Sequence, residues 1–166
     1  VLKNNNYNLK EKDLKSIESI VDSKKFHIAL KKINKDFKDF GKFINAYEYH
    51  VNKKMLNVSK NINSFEDKIF ESIISRLEYL NNYKKLSTMI FLQAQKNNNY
   101  FLILSKYLNE YFSTYSNNII NKAVMFSLYT ISFNIWIEDN EELDKTMSFL
   151  GNSLDYLKKI KPFLNK

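Results

Sequence analysis

Two histidines, the acidic pairs at predicted helix starts and a single arginine are the residues with which this chain could do chemistry. His27 and His50 fall on different predicted helices. Neither has a Glu-x-x-His or His-x-x-x-His neighbour, the spacing that brings metal ligands to one helix face. The acidic pairs Glu66-Asp67 and Glu141-Glu142 sit at predicted helix starts, where the positive end of the helix dipole accounts for them. Both glycines, Gly41 and Gly151, are isolated, so no glycine-rich phosphate loop exists. The absence of cysteine excludes a thiol nucleophile, a thiolate metal site and a disulfide scaffold. No nucleophile and base can be paired. The residues argue against an enzyme, and they call for no metal and no cofactor.

Arg76 has two readings. It lies at the edge of an apolar stripe, i+3 from Ile73 and i+7 from Ile69. It can snorkel to the surface, or it can be partly buried and paired with a carboxylate.

The chain has 166 residues and 44% hydrophobic content, enough for one domain with a core. Its net charge of +8 fits a nucleic-acid or anionic-membrane partner. Nearly all of that charge is lysine, however, and asparagine is abundant, as an AT-rich genome produces. Base and phosphate readout lean on the arginine fork, so no specific nucleic-acid partner is expected. The chain starts at Val1 rather than Met, which leaves room for a preceding segment such as a transit peptide.

With Gly 2 and Pro 1, turns are scarce and long helices are favoured. The periodicity predicts an all-α fold of about nine helices in one domain, residues 1–166. Asn8 caps a first helix to about Lys24, with Leu14, Ile17, Ile20 and Val21 inward. Phe26, Ala29, Leu30 and Ile33 mark a second. Residues 36–41 form a joint before a long helix to about Val58. Ser64 caps the next, with Ile69, Phe70, Ile73, Ile74, Leu77 and Leu80 on its stripe. Tyr83, Leu86, Ile90 and Ala94 define another. Phe101, Leu104, Leu108, Tyr111 and Phe112 face inward on the one after. The last helix starts near Asp139 and Asn140 and stops at Pro162, with Leu143, Met147, Leu150, Leu154 and Leu157 on its apolar side. That side either packs on the domain or, with Lys158, Lys159 and Lys161 nearby, contacts an anionic membrane.

These helices frame one unusual stretch, residues 117–138. Between Ala123 and Ile137 it is apolar on nearly every face. It is short of the roughly 20 apolar residues that span a bilayer. A helix apolar all round must be surrounded by other elements, so it is expected at the centre of the bundle. Its surroundings form either a filled core or a hollow one of lipid size.

The same stretch resembles the ubiquinone biosynthesis accessory family, the coenzyme Q nine proteins. That family's signature begins with Asn, which aligns on Asn117. Its Leu, apolar-Tyr pair, Thr and Asp then fall on Met125, Leu128-Tyr129, Ser132 and Asp139. Its Thr-x-x-Phe-Leu is similar to Thr146-Met147-Ser148-Phe149-Leu150, and its upstream Arg-Leu to Arg76-Leu77. Its later Tyr and Asn fall on Tyr83 and Asn99. The resemblance covers about Ser64 to Leu150. Its Trp-Tyr pair is replaced here by Asn118-Ile119, and its Lys-Arg pair is shifted to Asn121-Lys122.

The resemblance implies a TetR-repressor-like bundle. Residues 1–60 would be a degenerate helix-turn-helix head and residues 61–166 a ligand-binding part. It implies a non-enzymatic lipid-binding accessory of ubiquinone biosynthesis. An isoprenoid quinone precursor would lie among Leu77, Ile90, Leu104, Met125, Phe126, Tyr129, Phe133 and Trp136. It would be presented to a demethoxyubiquinone hydroxylase through a surface including Asn118, Ile119 and Lys122. The location implied is mitochondrial, peripheral to the inner membrane on the matrix side, with a bacterial cytoplasm as the alternative. A homodimer and a peripheral membrane contact through the last helix fit this scheme. The rival readings are a structural subunit of a larger mitochondrial complex, and a TetR-type regulator.

Overall fold

A backbone with so few glycines and prolines has little to interrupt helical hydrogen bonding. The computed structural model describes residues 9–55 and 64–164, with side chains through residue 159. In chain order its helices are α1 (Glu11–Glu18), α2 (Phe26–Ile33), α3 (Phe40–Met55), α4 (Phe65–Asn81), α5 (Lys84–Lys96), α6 (Asn98–Phe112), α7 (Ile119–Ile137) and α8 (Asp144–Leu164). A 3₁₀ turn, Lys35–Lys38, joins α2 to α3. The described residues contain no strand, so the all-α expectation holds, with eight α-helices and this turn. The expected Asn8 cap and the expected helix end near Val58 lie outside the described residues.

The chain packs as two compact units. Unit 1 comprises residues 1–56 and 80–111, and unit 2 residues 57–79 and 112–166. In unit 1, Leu14 and Ile17 of α1, Leu30 of α2 and Phe43, Ile44 and Val51 of α3 are fully buried. Edge-to-face rings tie the α2–α3 corner together, with Phe37 5.4 Å from Phe43 and Phe26 6.1 Å from Phe40. Such pairs contribute about 0.5–1.5 kcal/mol beyond the area they bury. Two buried polar links cross between helices. The Tyr47 hydroxyl lies 2.7 Å from Ser87 Oγ, and Asn52 Nδ2 donates to the Tyr107 carbonyl at 2.8 Å.

Helix α1 ends at Glu18, before the expected Lys24. The hydroxyl of Ser19 turns back to the Ser16 carbonyl, and that of Ser23 accepts the Lys25 N–H. Both offer the backbone an alternative to the helix. The Glu18 carboxylate then meets the first turn of α5, accepting the N–H groups of Lys85 and Leu86, both at 2.9 Å. It caps a helix distant in sequence, adding charge–dipole attraction to two hydrogen bonds. Glu18→Ala is expected to lower stability by about 1–2 kcal/mol, read as a shifted urea midpoint. Glu18→Gln should recover part of the loss.

In unit 2 the stripe on α4 behaves as read. Ile69, Ile73, Ile74 and Leu77 are buried, and Ser64 Oγ accepts the Asp67 N–H at 3.0 Å. Arg76 is fully buried, which decides against snorkelling. Its Nε donates to the Tyr129 hydroxyl at 3.3 Å, and its guanidinium lies 5.8 Å from that ring's centre.

Four expectations change. Phe101 is exposed rather than inward. Helix α8 begins at Asp144, leaving Glu141 and Glu142 in the preceding turn. Pro162 lies inside the last turns of α8 rather than stopping it. Finally, α7 is not surrounded. Ile119 is 79% exposed, Ile120 69% and Ile131 48%.

Gly151 lies in the middle of α8, and a Cβ built on it meets nothing within 4 Å. Gly151→Ala is therefore expected to raise stability by about 0.5–1 kcal/mol, through lower backbone entropy in the unfolded chain. A thermal melt shifted upward would show it.

Candidate apolar binding groove

Helix α7 starts where Asn118 turns its side-chain oxygen onto the N–H groups of Ile120 and Asn121, at 2.8 and 3.2 Å. From there its residues divide by helical phase. Met125, Tyr129, Ser132, Phe133 and Trp136 are buried on one side. Ile120, Ala123, Ser127, Ile131 and Asn134 fall on the opposite side and are exposed.

The outer side is less polar than its composition suggests. Thr130 Oγ1 donates to the Phe126 carbonyl, and Asn134 Nδ2 donates to the Thr130 carbonyl, both at 2.9 Å. These groups spend a donor on their own helix. The only charged residue between Ile119 and Ile137 is Lys122.

Helix α8 returns alongside α7. The turn between them is pinned by Asp139, whose carboxylate accepts the Thr146 N–H and the Thr146 hydroxyl, both at 2.8 Å. It also accepts the N–H groups of Asn140 at 2.9 Å and Lys145 at 3.4 Å. Burial pushes the Asp139 carboxyl up, and these hydrogen bonds, led by those from Thr146, more than offset that. The net shift is downward.

The two helices do not close completely. Between them runs a groove of about 660 Å³. Its α7 wall is Ile120, Ala123, Val124, Ser127 and Leu128, and its α8 wall is Phe149, Asn152, Ser153, Tyr156 and Leu157. No wall residue carries a charge at neutral pH. Ser153 satisfies its hydroxyl on the Phe149 carbonyl at 2.8 Å. The volume falls within the roughly 300–1,000 Å³ of small-molecule sites. An elongated neutral apolar molecule suits such a trough, and a charged group would find no partner along it.

The eight residues expected to hold a lipid are placed differently. Leu77, Ile90, Leu104, Met125, Tyr129, Phe133 and Trp136 are buried, and Phe126 is half-buried. Ile90 and Leu104 belong to unit 1, and the other six to unit 2. Within unit 2 the rings pack on one another, Phe133 at 4.8 Å from Trp136 and 5.8 Å from Tyr129. None of the eight lines the groove, which lies on the far side of α7.

Of the residues expected to meet a partner, Ile119 is largely exposed. Asn118 is exposed and occupied as the helix cap, and Lys122 is half-buried. Sequence reasoning missed Ile120, Val124, Phe149, Tyr156 and Leu157. The available signal was that α7 is apolar on both faces, so one face would need a cover from outside.

Among the described residues no three His, Asp or Glu side chains gather as a metal site, and no helix is long and apolar enough to cross a membrane. No family model, curated protein or solved structure matches the chain.

Proposed function

We propose that this chain is a non-catalytic carrier of an elongated apolar molecule, held in the groove between α7 and α8. The carrying observation is the uncharged trough itself, cut into a helix that is apolar on both faces. Covering exposed apolar surface contributes about 25 cal/mol per Å². The resemblance in α4, α7 and α8 to the ubiquinone accessory family supports the ligand class, an isoprenoid quinone precursor presented to a membrane-associated hydroxylase. Exposed Ile119 and the Lys122 beside it supply the edge at which a partner protein would meet the loaded groove.

The test is binding of a short-chain prenylated benzoquinone by calorimetry, with solvent extraction of lipid from the purified chain. Ala123→Trp and Ser127→Trp place bulk in the groove from exposed positions that folding does not need. Each is expected to weaken binding at least about tenfold, the equivalent of 1.4 kcal/mol. Full-strength binding by both variants would remove the proposal.

A second reading rests on Ile131, an exposed isoleucine on α7 that does not line the groove. If the outer face of α7 were a seat for another protein's helix, the chain would be a structural subunit of an assembly. In that case no lipid would be extracted, and Ile131→Glu would release the chain from its complex while the groove variants left it in place.

A further inference from the structure

Unit 1 carries a second cleft, of a different chemical character. It measures about 500 Å³ and opens beside the turn between α1 and α2. Its apolar part is made by Phe26, Phe40, Met89 and Tyr100, drawn from four helices. Phe26 is buried and the other three are half-buried, and all four line the cleft. The rings stand edge to face, Phe40 at 5.5 Å and 80° from Tyr100 and at 6.1 Å and 69° from Phe26. A flat aromatic guest extends such a herringbone with the same favourable geometry, and a methionine thioether adds a polarisable contact to it.

The rim is polar. Lys24, His27 and Gln93 border the cleft, all exposed. Among the described residues the Lys24 and Gln93 side chains make no hydrogen bond or ion pair. The one acidic rim residue, Asp22, is exposed and lies 3.7 Å from Lys85 Nζ, a solvent-screened pair whose lysine stands outside the lining. What faces a guest is an aromatic floor with a lysine, a histidine and an amide at its edge. We infer that this cleft is a binding site for a planar aromatic ring bearing an anionic substituent, a carboxylate or a phosphate. The ring lies against Phe40, Met89 and Tyr100, and the anion reaches Lys24 and His27 at the rim. The site is independent of the α7–α8 groove, which lies in the other unit and lacks any cation in its walls.

The chain's 4 methionines make the test direct. Met89 lines this cleft, Met55 is buried in α3, and Met125 and Met147 belong to unit 2. With ¹³C-methyl-labelled methionine in the full chain, 2-naphthoate and adenosine monophosphate are titrated separately. The ring current of a bound guest is expected to shift the Met89 methyl and leave Met125 and Met147 unmoved. A response to naphthoate alone assigns the anion as carboxylate, and a response to the nucleotide alone as phosphate. Neutral 2-naphthalenemethanol should bind about tenfold more weakly than naphthoate, and Lys24→Glu combined with His27→Gln should weaken naphthoate by a similar factor. Both substitutions are at exposed positions, so folding is retained. Absence of a Met89 shift with either anion overturns the inference, as does equal binding of the neutral compound.

Discussion

Asp139→Ala is expected to lower the stability of unit 2 by about 2–4 kcal/mol, the largest loss from any single polar side chain in the α7–α8 hairpin. The carboxylate is buried, and it is the acceptor for two N–H groups at the start of α8, for the Asn140 N–H and for the Thr146 hydroxyl. Alanine removes them all at once and leaves the buried Thr146 donors without this acceptor. The same turn holds Leu143 at φ 62°, a left-handed conformation that costs a leucine about 1–2 kcal/mol. Leu143 is itself buried, so the turn is held in that shape from two sides. Trp136, the sole tryptophan, lies one turn away on α7 and reports the unfolding by fluorescence. Asp139→Asn keeps one acceptor oxygen without the charge and should fall between alanine and the parent. An alanine variant that unfolds at the parent urea concentration would show that the hairpin does not depend on this carboxylate.

The same residue sets an acid limit. Its folded pKa lies below the ordinary carboxylate value, so its contribution is present above about pH 4 and is lost as pH falls through the lowered folded value. In unit 1, burial holds the half-buried His50 imidazole below its ordinary value, against a hydrogen bond to the Leu9 backbone that raises it. Its folded pKa is thus also depressed. Its contribution is present above about pH 6.5 and is lost on acidification through the folded value. Acidification should therefore weaken unit 1 first, and Asp139 should add its loss only below about pH 4. His50→Gln should remove the earlier step and leave the later one, as followed by hydrogen exchange of α3 and α8.

Local physics made much of the fold legible. The α4 stripe, the Ser64 cap, and the inward positions Leu86, Ile90 and Ala94 of α5 all follow from 3.6-residue periodicity, which needs no knowledge of the neighbours. Some departures from expectation involve contacts made at long sequence range. Helix α1 stops at Glu18, whose carboxylate meets α5 some 67 positions later. Arg76 looked equally fit for surface or interior until Tyr129 supplied a partner. The candidate site was half legible. Its helix stood out by composition, but a helix apolar on every side does not say which side the domain will use. The inner face took the aromatic residues, and the groove fell to the smaller Ala123, Val124 and Ser127, whose spacing carries no strong signal. The flank of α8 was equally quiet, because Phe149 and Tyr156 lie beside the stripe through Leu150, Leu154 and Leu157, and a stripe does not say which of its residues border a groove.

Trp136→Ala is expected to cost about 3–5 kcal/mol, the greatest loss of any apolar truncation in this chain. Trp136 has no exposed surface and packs against Phe133, which continues through Tyr129 to Phe112 at 5.9 Å. Removing the indole leaves a cavity that a helix held on this face cannot collapse to fill. The same substitution separates the two faces of α7 as ligand sites. A quinone lodged among Met125, Tyr129, Phe133 and Trp136 would lose a wall when Trp136 shrinks, and its affinity would shift with the cavity. A quinone in the groove touches Ile120, Val124 and Tyr156, none of which changes. Trp136→Phe, destabilised less, keeps the chain folded for the comparison. Calorimetric affinity within about twofold of the parent, alongside a lowered melting temperature, places the ligand on the outer face. A large change in affinity with the groove intact would return it to the inner one, and the trough between α7 and α8 would then be left for a protein.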